Sequence, residues 1–398
     1  MITALYVSIF GCATPPASAP TVAAPAAVAK APAGEPVPAP VVTSQPAVTA
    51  GVVSQPATVV VPIVPVAGTE QVEHHIALIL PLKSATFGKA AEAVQQGFLA
   101  AAAQQANGLP VRIYPCNDEK LEVAALYQQA LRDGAVAVAG PLTRNGVAAL
   151  AANPDLAVPT LALNVIEAAR ADQLYFFGLP VEAEARQVAQ WATKAGLLSA
   201  TVVRTNTPLS KRLAQAFSEN WQRAGGLIQS EIIYAGDPAP LHLIPTEPGN
   251  MVFLASEVDK ARLLRPYISN ALPVYATSQV FAGNSNNLVN YDLAEVRFVD
   301  MPWLLQSDHP AVMVYPRAIP PLAQDMERLY ALGIDAYRLL QVLYQHDTLN
   351  VLPLDGVTGK VHLNGHLLER EAAPAVLRQG LGVSLDSKPQ QSQSKIQQ

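Results

Sequence analysis

The apolar positions of this chain fall into short continuous runs, each followed by a helical stretch. Residues 76–80 are uninterrupted apolar and end at Pro81. Such a run suits a strand buried on both faces of a parallel sheet, and proline cannot donate to the ladder beyond it. A loop, LKSATFG, follows, and from Gly88 the residues Ala91, Val94, Phe98 and Leu99 recur at helical spacing. The pattern then repeats. Strands are expected at 109–116, 135–142, 158–164 and 174–179, with helices at 121–132 and 145–152 between them. A second series carries strands at 200–204, 227–234, 250–255 and 273–276, with helices at 182–195, 208–224 and 257–269. Strand and helix alternating in this way imply parallel sheets with helices on both faces. Two such halves stand in tandem. A strongly apolar helix at 325–344 and a Gly-punctuated hairpin at 356–367 come after them.

The first 72 residues break this pattern. Residues 5–10 are apolar, and Gly11 and Cys12 follow. This resembles the lipobox of a bacterial lipoprotein, in which the cysteine is acylated and holds a soluble domain on a bilayer. Residues 1–12 are therefore expected to be a signal peptide with Cys12 as the lipidation site. Residues 13–72 are rich in Pro, Ala, Val and Thr, with Lys30, Glu35 and Glu70 as the only charges before Gln71. Proline blocks helix and removes donors, so a disordered linker is expected. Fully extended at ~3.1 Å per residue, about 60 residues reach ~180 Å. The polar segment 386–398 is expected to be a disordered tail.

Composition narrows the function classes. Of 398 residues, 50% are hydrophobic and 14% charged, enough for a large core. A net charge of −5 without a Lys/Arg cluster offers no field for nucleic acid. Cys12 and Cys116 are the two cysteines; with Cys12 acylated, Cys116 is left as a lone, buried thiol. No nucleophile elbow, phosphate-binding glycine loop or His-Glu-x-x-His occurs. His74-His75 and the pair His362 and His366 lack the further ligands of a metal site. Asp118 and Glu119 are neighbours on an extended segment and make a poor acid/base couple. No catalytic constellation, metal or cofactor is expected.

Ligands of open α/β sheets meet the carboxyl ends of the strands. By that rule the first half offers Ser84, Thr86, Phe87, Pro141, Thr143 and Asn164 to a cleft, and the second offers Asn206, Ser256 and Thr277. For Thr143 and Ser256 a helix-capping role stays open beside the cleft role. Glu257 is the candidate carboxylate for a ligand ammonium, though a first-turn glutamate is also favoured by the helix dipole.

The segments IALILPLKSATFGKAAEAVQQGFLAA, VAVAGPLTRNGVAAL, VPTLALN, LYFFGLPVEAEARQVA, LYALGIDAYRLL and LDGVTGKVHLNGHLLER resemble, in order and spacing, the C-terminal domain of the LppC/LpoA lipoprotein family. The resemblance covers roughly residues 73–380. It implies a two-lobed type I periplasmic-binding-protein-like fold, each lobe a mostly parallel sheet flanked by helices. The body would span 73–385. Lobe 1 is expected at about 73–181 plus a return helix at 320–345, and lobe 2 at 182–319 plus 346–380. It further implies an outer-membrane lipoprotein on the periplasmic side that binds and activates a class A penicillin-binding protein and so regulates peptidoglycan synthesis. In members of the family a helical-repeat domain precedes this one; here the Pro/Ala linker takes its place. The loops LPLKSATFG and AGPLTRN are also similar to those of branched-chain amino-acid binding proteins. The alternative is therefore a periplasmic solute-binding protein for an amino acid or cell-wall fragment, with a small-molecule ligand in the cleft.

Overall fold

The computed structural model describes residues 73–386 apart from 154 and 167–170. The expected signal peptide, Cys12, the linker and residues 387–398 of the expected tail lie outside the described residues. Two α/β lobes are present. Lobe 1 opens with β1 (His75–Leu80), α1 (Gly88–Ala102), β2 (Val111–Pro115), α2 (Glu119–Arg132), β3 (Ala135–Ala139), α3 (Arg144–Ala151), β4 (Thr160–Ala162) and β5 (Leu174–Phe177). Lobe 2 follows with α4 (Val181–Lys194), β6 (Ser199–Arg204), α5 (Pro208–Arg223), β7 (Leu227–Ile233), β8 (Asn250–Ala255), α6 (Val258–Leu264), β9 (Val274–Ala276) and β10 (Val296–Asp300). The chain then re-enters lobe 1 through the return helix Gln324–Tyr344 and strands β11 (Leu354–Asp355), β12 (Lys360–Asn364) and β13 (Leu367–Glu371). It ends in lobe 2 with β14 (Ala373–Arg378) and β15 (Leu381–Ser384).

The lobe-1 sheet has eight strands in the order β11-β12-β13-β5-β4-β3-β1-β2, and the lobe-2 sheet seven in the order β15-β14-β10-β9-β8-β6-β7. The β1–β5 and β6–β10 series are parallel, and antiparallel pairing enters only through the late strands. β1 is buried at every residue because helices cover both faces. One face packs on α1 and the return helix, and the other on α2 and α3.

Two lobe boundaries differ from expectation. Met301, Trp303, Val312 and Ala318 already belong to the lobe-1 core, so the return begins at the end of β10, well before residue 320. The hairpin β12–β13 also joins lobe 1, where Leu368 of β13 pairs with Phe177 of β5; only β14 and β15 belong to lobe 2. Alternating apolar residues announce a hairpin, but they do not say which sheet edge receives it. The expected helix at 257–269 is shorter as well. α6 stops at Leu264 and a 3₁₀ turn takes over, because Pro266 has no N–H for an α-helical bond.

The return helix and α1 are in backbone contact. A Cβ on Gly97 would strike the Tyr330 carbonyl, and one on Gly333 the Val94 carbonyl. Phe98 and Tyr337 then meet edge to face at 5.2 Å. This pairing fixes the return helix against the sheet and sets its polar residues at the junction with lobe 2.

Candidate functional site

The loop after β1 is built by its own short bonds. Ser84 N–H donates to the Pro81 carbonyl (3.1 Å), Gly88 N–H to the Ser84 carbonyl (2.9 Å), and Phe87 N–H to Ser84 Oγ (3.3 Å). Phe87 ends as the residue before α1, with its side chain 46% exposed. The loop after β3 turns at Gly140, whose φ of +100° and contact with the Ile79 carbonyl admit only glycine. Thr143 caps α3 by accepting from Gly146 N–H (3.1 Å). Asn164 donates from Nδ2 to the Leu142 carbonyl (2.9 Å), tying the β4 loop to the β3 loop.

These loops surround a hollow of about 770 Å³. Ser84, Thr86, Phe87, Thr143 and Asn164 line it, so five of the six lobe-1 candidates come together; Pro141 is buried and does not line it. Asn117, Asp118, Arg144, Asn145 and Leu329 of the return helix complete the rim. One wall is Glu119, buried in the first turn of α2. Its carboxylate accepts from the N–H groups of Leu142 (2.8 Å) and Thr143 (2.6 Å) at the entry to α3. Burial pushes the Glu119 pKa up, and those two bonds pull against it. The chain's own carboxylate thus sits on the two N–H groups that lead into α3, whose first residue is Arg144. Asp118, by contrast, is exposed and caps α2 through Lys120 N–H (2.9 Å).

Lobe 2 does not contribute its expected residues to this hollow. Asn206 is exposed on the β6–α5 loop, Glu257 only precedes α6, and Ser256 and Thr277 are each 1% exposed. The Ser256 and Thr277 hydroxyls have no hydrogen-bond partner, so Ser256 is not a helix cap. Past the β9 end, the backbone of Ser278 is bonded to Glu184 of α4 and to Arg328 of the return helix.

Those bonds belong to an ionic network the sequence reading missed. Arg370 of β13 pairs with Glu184 of α4, their side chains 5% and 6% exposed. Glu184 also accepts from Ser278 N–H (3.0 Å). Arg328 of the return helix donates to the Ser278 carbonyl (3.0 Å), to Asp300 at the end of β10 (2.6 Å) and to Asp325 (3.0 Å). Burial alone would lower the Arg328 pKa, but the charge and hydrogen bonds of Asp300, with Glu184 and Asp325 behind them, raise it. Lobe 1 thus holds lobe 2 through two buried ion pairs at the cleft floor. Nearby, Asp335 accepts from the N–H groups of Val357 and Thr358 and from Arg338, fixing the loop before β12. A signal existed: Arg328 and Asp335 lie seven apart on a return-helix stripe that also carries Leu332 and Leu339. Charges there must be paired inside.

Other sequence candidates are structural. Cys116 is a free buried thiol, pushed up to about 12 chiefly by burial and next by the Glu119 charge, and so inert. His75 is buried and bonds to Tyr114 Oη (2.9 Å), which donates to Asp133 (3.1 Å). Among the described residues no group of three or more His, Cys, Asp or Glu could hold a metal, and no helix is long and apolar enough to cross a membrane. A second hollow, of about 860 Å³, runs between α4 and β13 and adjoins the first at Arg144.

Comparison with known proteins places this geometry. The family described as "LppC putative lipoprotein" matches residues 61–244 and 246–379. The "Penicillin-binding protein activator LpoA" of Pantoea ananatis is 26% identical over 328 residues, covering 70% of this chain and 48% of that protein. The chain spans about half the length of the curated relatives it matches. Among solved structures, a "putative branched-chain amino acid ABC transporter" of Chromobacterium violaceum is 38% identical with a TM-score of 0.68, covering 76% of this chain and 99% of that one. The LpoA C-domain of Haemophilus influenzae, described as a regulator of PBP1A, shares the fold at 24% identity and a TM-score of 0.65, over 78% of this chain and 99% of that one.

Proposed function

Because the chain belongs to the LppC lipoprotein family, we propose that it binds a class A penicillin-binding protein in the periplasm and stimulates its peptidoglycan synthase activity, itself performing no catalysis. The observation that carries this is the similarity of the two-lobed body to relatives named as activators of penicillin-binding proteins. The geometry is in keeping with it: two buried ion pairs tie the lobes together, so a partner can dock on both at once. Cys12, acylated, anchors the protein, and Ala13 after it favours the outer membrane. The segment 13–72 then supplies the reach from the anchor to a synthase.

A pull-down with a class A synthase, paired with a glycan-polymerisation and cross-linking assay, tests the proposal. Binding and faster synthesis at micromolar protein are expected; neither at that concentration would sink it. For the anchor, a Cys12→Ser variant is expected to leave the membrane fraction, and unchanged fractionation counts against lipidation.

Solute binding is the competing function, favoured by the Chromobacterium violaceum relative's name. Against a carboxylate-bearing solute stands Glu119, whose own carboxylate takes the Leu142 and Thr143 N–H groups leading into α3. A thermal-shift screen separates the two: a solute at 100 times its dissociation constant adds about 2.7 kcal/mol of stability. No shift across the amino acids favours the synthase-binding reading.

A further inference from the structure

Apart from any synthase contact, the lobe-1 hollow has chemistry of its own. Phe87 presents a nearly half-exposed aromatic ring at its rim, on a backbone fixed by the Ser84 and Ala91 bonds. Around the ring stand hydroxyls and carboxamides: Ser84, Thr86, Asn117, Asn145 and Asn164. The side chains of Thr86, Asn117 and Asn145 make no hydrogen bond among the described residues, so their donors and acceptors are available to a ligand. The lining carries the carboxylates of Asp118 and Glu119 beside the guanidinium of Arg144, and Glu119 takes the N–H groups of Leu142 and Thr143, so no net positive charge gathers an anion there. The hollow is equally unsuited to a purely apolar guest, which would bury these carboxamides unpaired.

We propose that this hollow is a glycan-binding site that seats an uncharged, N-acylated amino-sugar unit. A pyranose ring offers an apolar C–H face for the Phe87 ring and a rim of hydroxyls for the surrounding side chains. Its acetamido group matches the paired donor and acceptor of Asn117 or Asn145. Arg144 borders both this hollow and the second one, so the probe is a run of sugar units and not a single one. Every residue lining the lobe-1 hollow comes from lobe 1 or the return helix, so its occupancy requires no closure of the lobes and is compatible with the ion pairs that hold them.

The test titrates the full chain with chitotetraose, a tetramer of N-acetylglucosamine, by calorimetry. Saturable binding with a dissociation constant on the order of 1 mM or tighter is expected. Phe87→Ala should weaken it about tenfold, the scale of losing one stacked ring contact, and Asn145→Ala severalfold. Both residues are exposed, and unchanged melting temperatures would show the variants folded. Leucine should not compete. Absence of saturable binding, wild-type affinity in both variants, or displacement by leucine each overturns the proposal. Equal affinity for maltotetraose, which has no acetamido group, overturns the amide recognition. None of these results touches the synthase pull-down, so failure here and failure there are distinguishable.

Discussion

The two lobes share one strand–helix plan yet present opposite cleft faces. In lobe 1 the strand-end loops stand open, and the hydroxyls and carboxamides expected at a cleft line an open hollow. In lobe 2 the equivalent hydroxyls of Ser256 and Thr277 are shut inside. The difference arises in the last quarter of the chain. The return helix brings Arg328 across to the Ser278 carbonyl and Asp300, while β13 brings Arg370 to Glu184. Lobe 1 therefore uses lobe 2's strand ends as a mooring and keeps its own free. A position's rank along a repeated plan does not decide its exposure; the segment that crosses back does.

The largest effect is expected at the mooring itself. Arg328→Met leaves Asp300, fully buried, without its partner, and breaking a buried pair from one side costs about 3–5 kcal/mol. Urea unfolding of the variant should show a loss of that size; a loss below about 1 kcal/mol would mean that the lobes are not held there. Next is Glu119→Ala, which strips the acceptor from the buried Leu142 N–H, at about 1–3 kcal/mol, and from the half-buried Thr143 N–H, which loses less because water can reach it. Glu119 also leaves a mark on the pH profile. Its folded pKa is raised, so between the ordinary carboxylate value and that raised value the folded state binds more protons than the unfolded chain. Stability therefore falls as pH rises through this window. Melting curves of Glu119→Gln should lack that decline, and a persistent decline would assign it to another group, with Asp386, also raised by burial, the first to examine.

The fold was legible where local pattern decides structure. Short continuous apolar runs such as residues 76–80 and 251–255 fit strands covered on both faces, and the alternation with helices leaves few topologies. Lobe-1 rim residues were legible for the same reason: they follow directly from the strand ends. What escaped is long-range. Residues 356–367 read as a hairpin from their alternation; it forms at Lys360–Glu371, and its sheet is chosen by the pairing of Leu368 with Phe177, nearly two hundred positions away. Glu184 lies in the first turn of α4, a place that by itself suits an exposed acid, and only Arg370 beside it explains its burial. Glu119 was visible as a carboxylate and dismissed as half of an acid pair. Its task depends on where the β3 loop arrives.

Smaller effects test the sealed face of lobe 2. Thr277→Val and Ser256→Ala remove buried hydroxyls that have no partner, so each should be neutral or stabilising by up to about 1 kcal/mol. A loss above about 1 kcal/mol in chemical denaturation would mean that an ordered water satisfies them, and the lobe-2 face would then be wetter than its packing indicates.

The smallest stability change is expected on the open face. Phe87 is the residue before α1 and makes no side-chain cap bond; its backbone bonds to Ser84 and Ala91 survive truncation. Phe87→Ala should shift stability by no more than about 0.5 kcal/mol, the usual range for an exposed site. A ring that the fold needed would cost several kilocalories, as the buried Phe98 on the same helix should. Measured side by side, Phe98→Ala and Phe87→Ala separate packing from presentation. If both cost several kcal/mol, the Phe87 ring is part of the core and the lobe-1 rim is as sealed as that of lobe 2. If only Phe98→Ala does, the exposed ring is held out for something other than the fold.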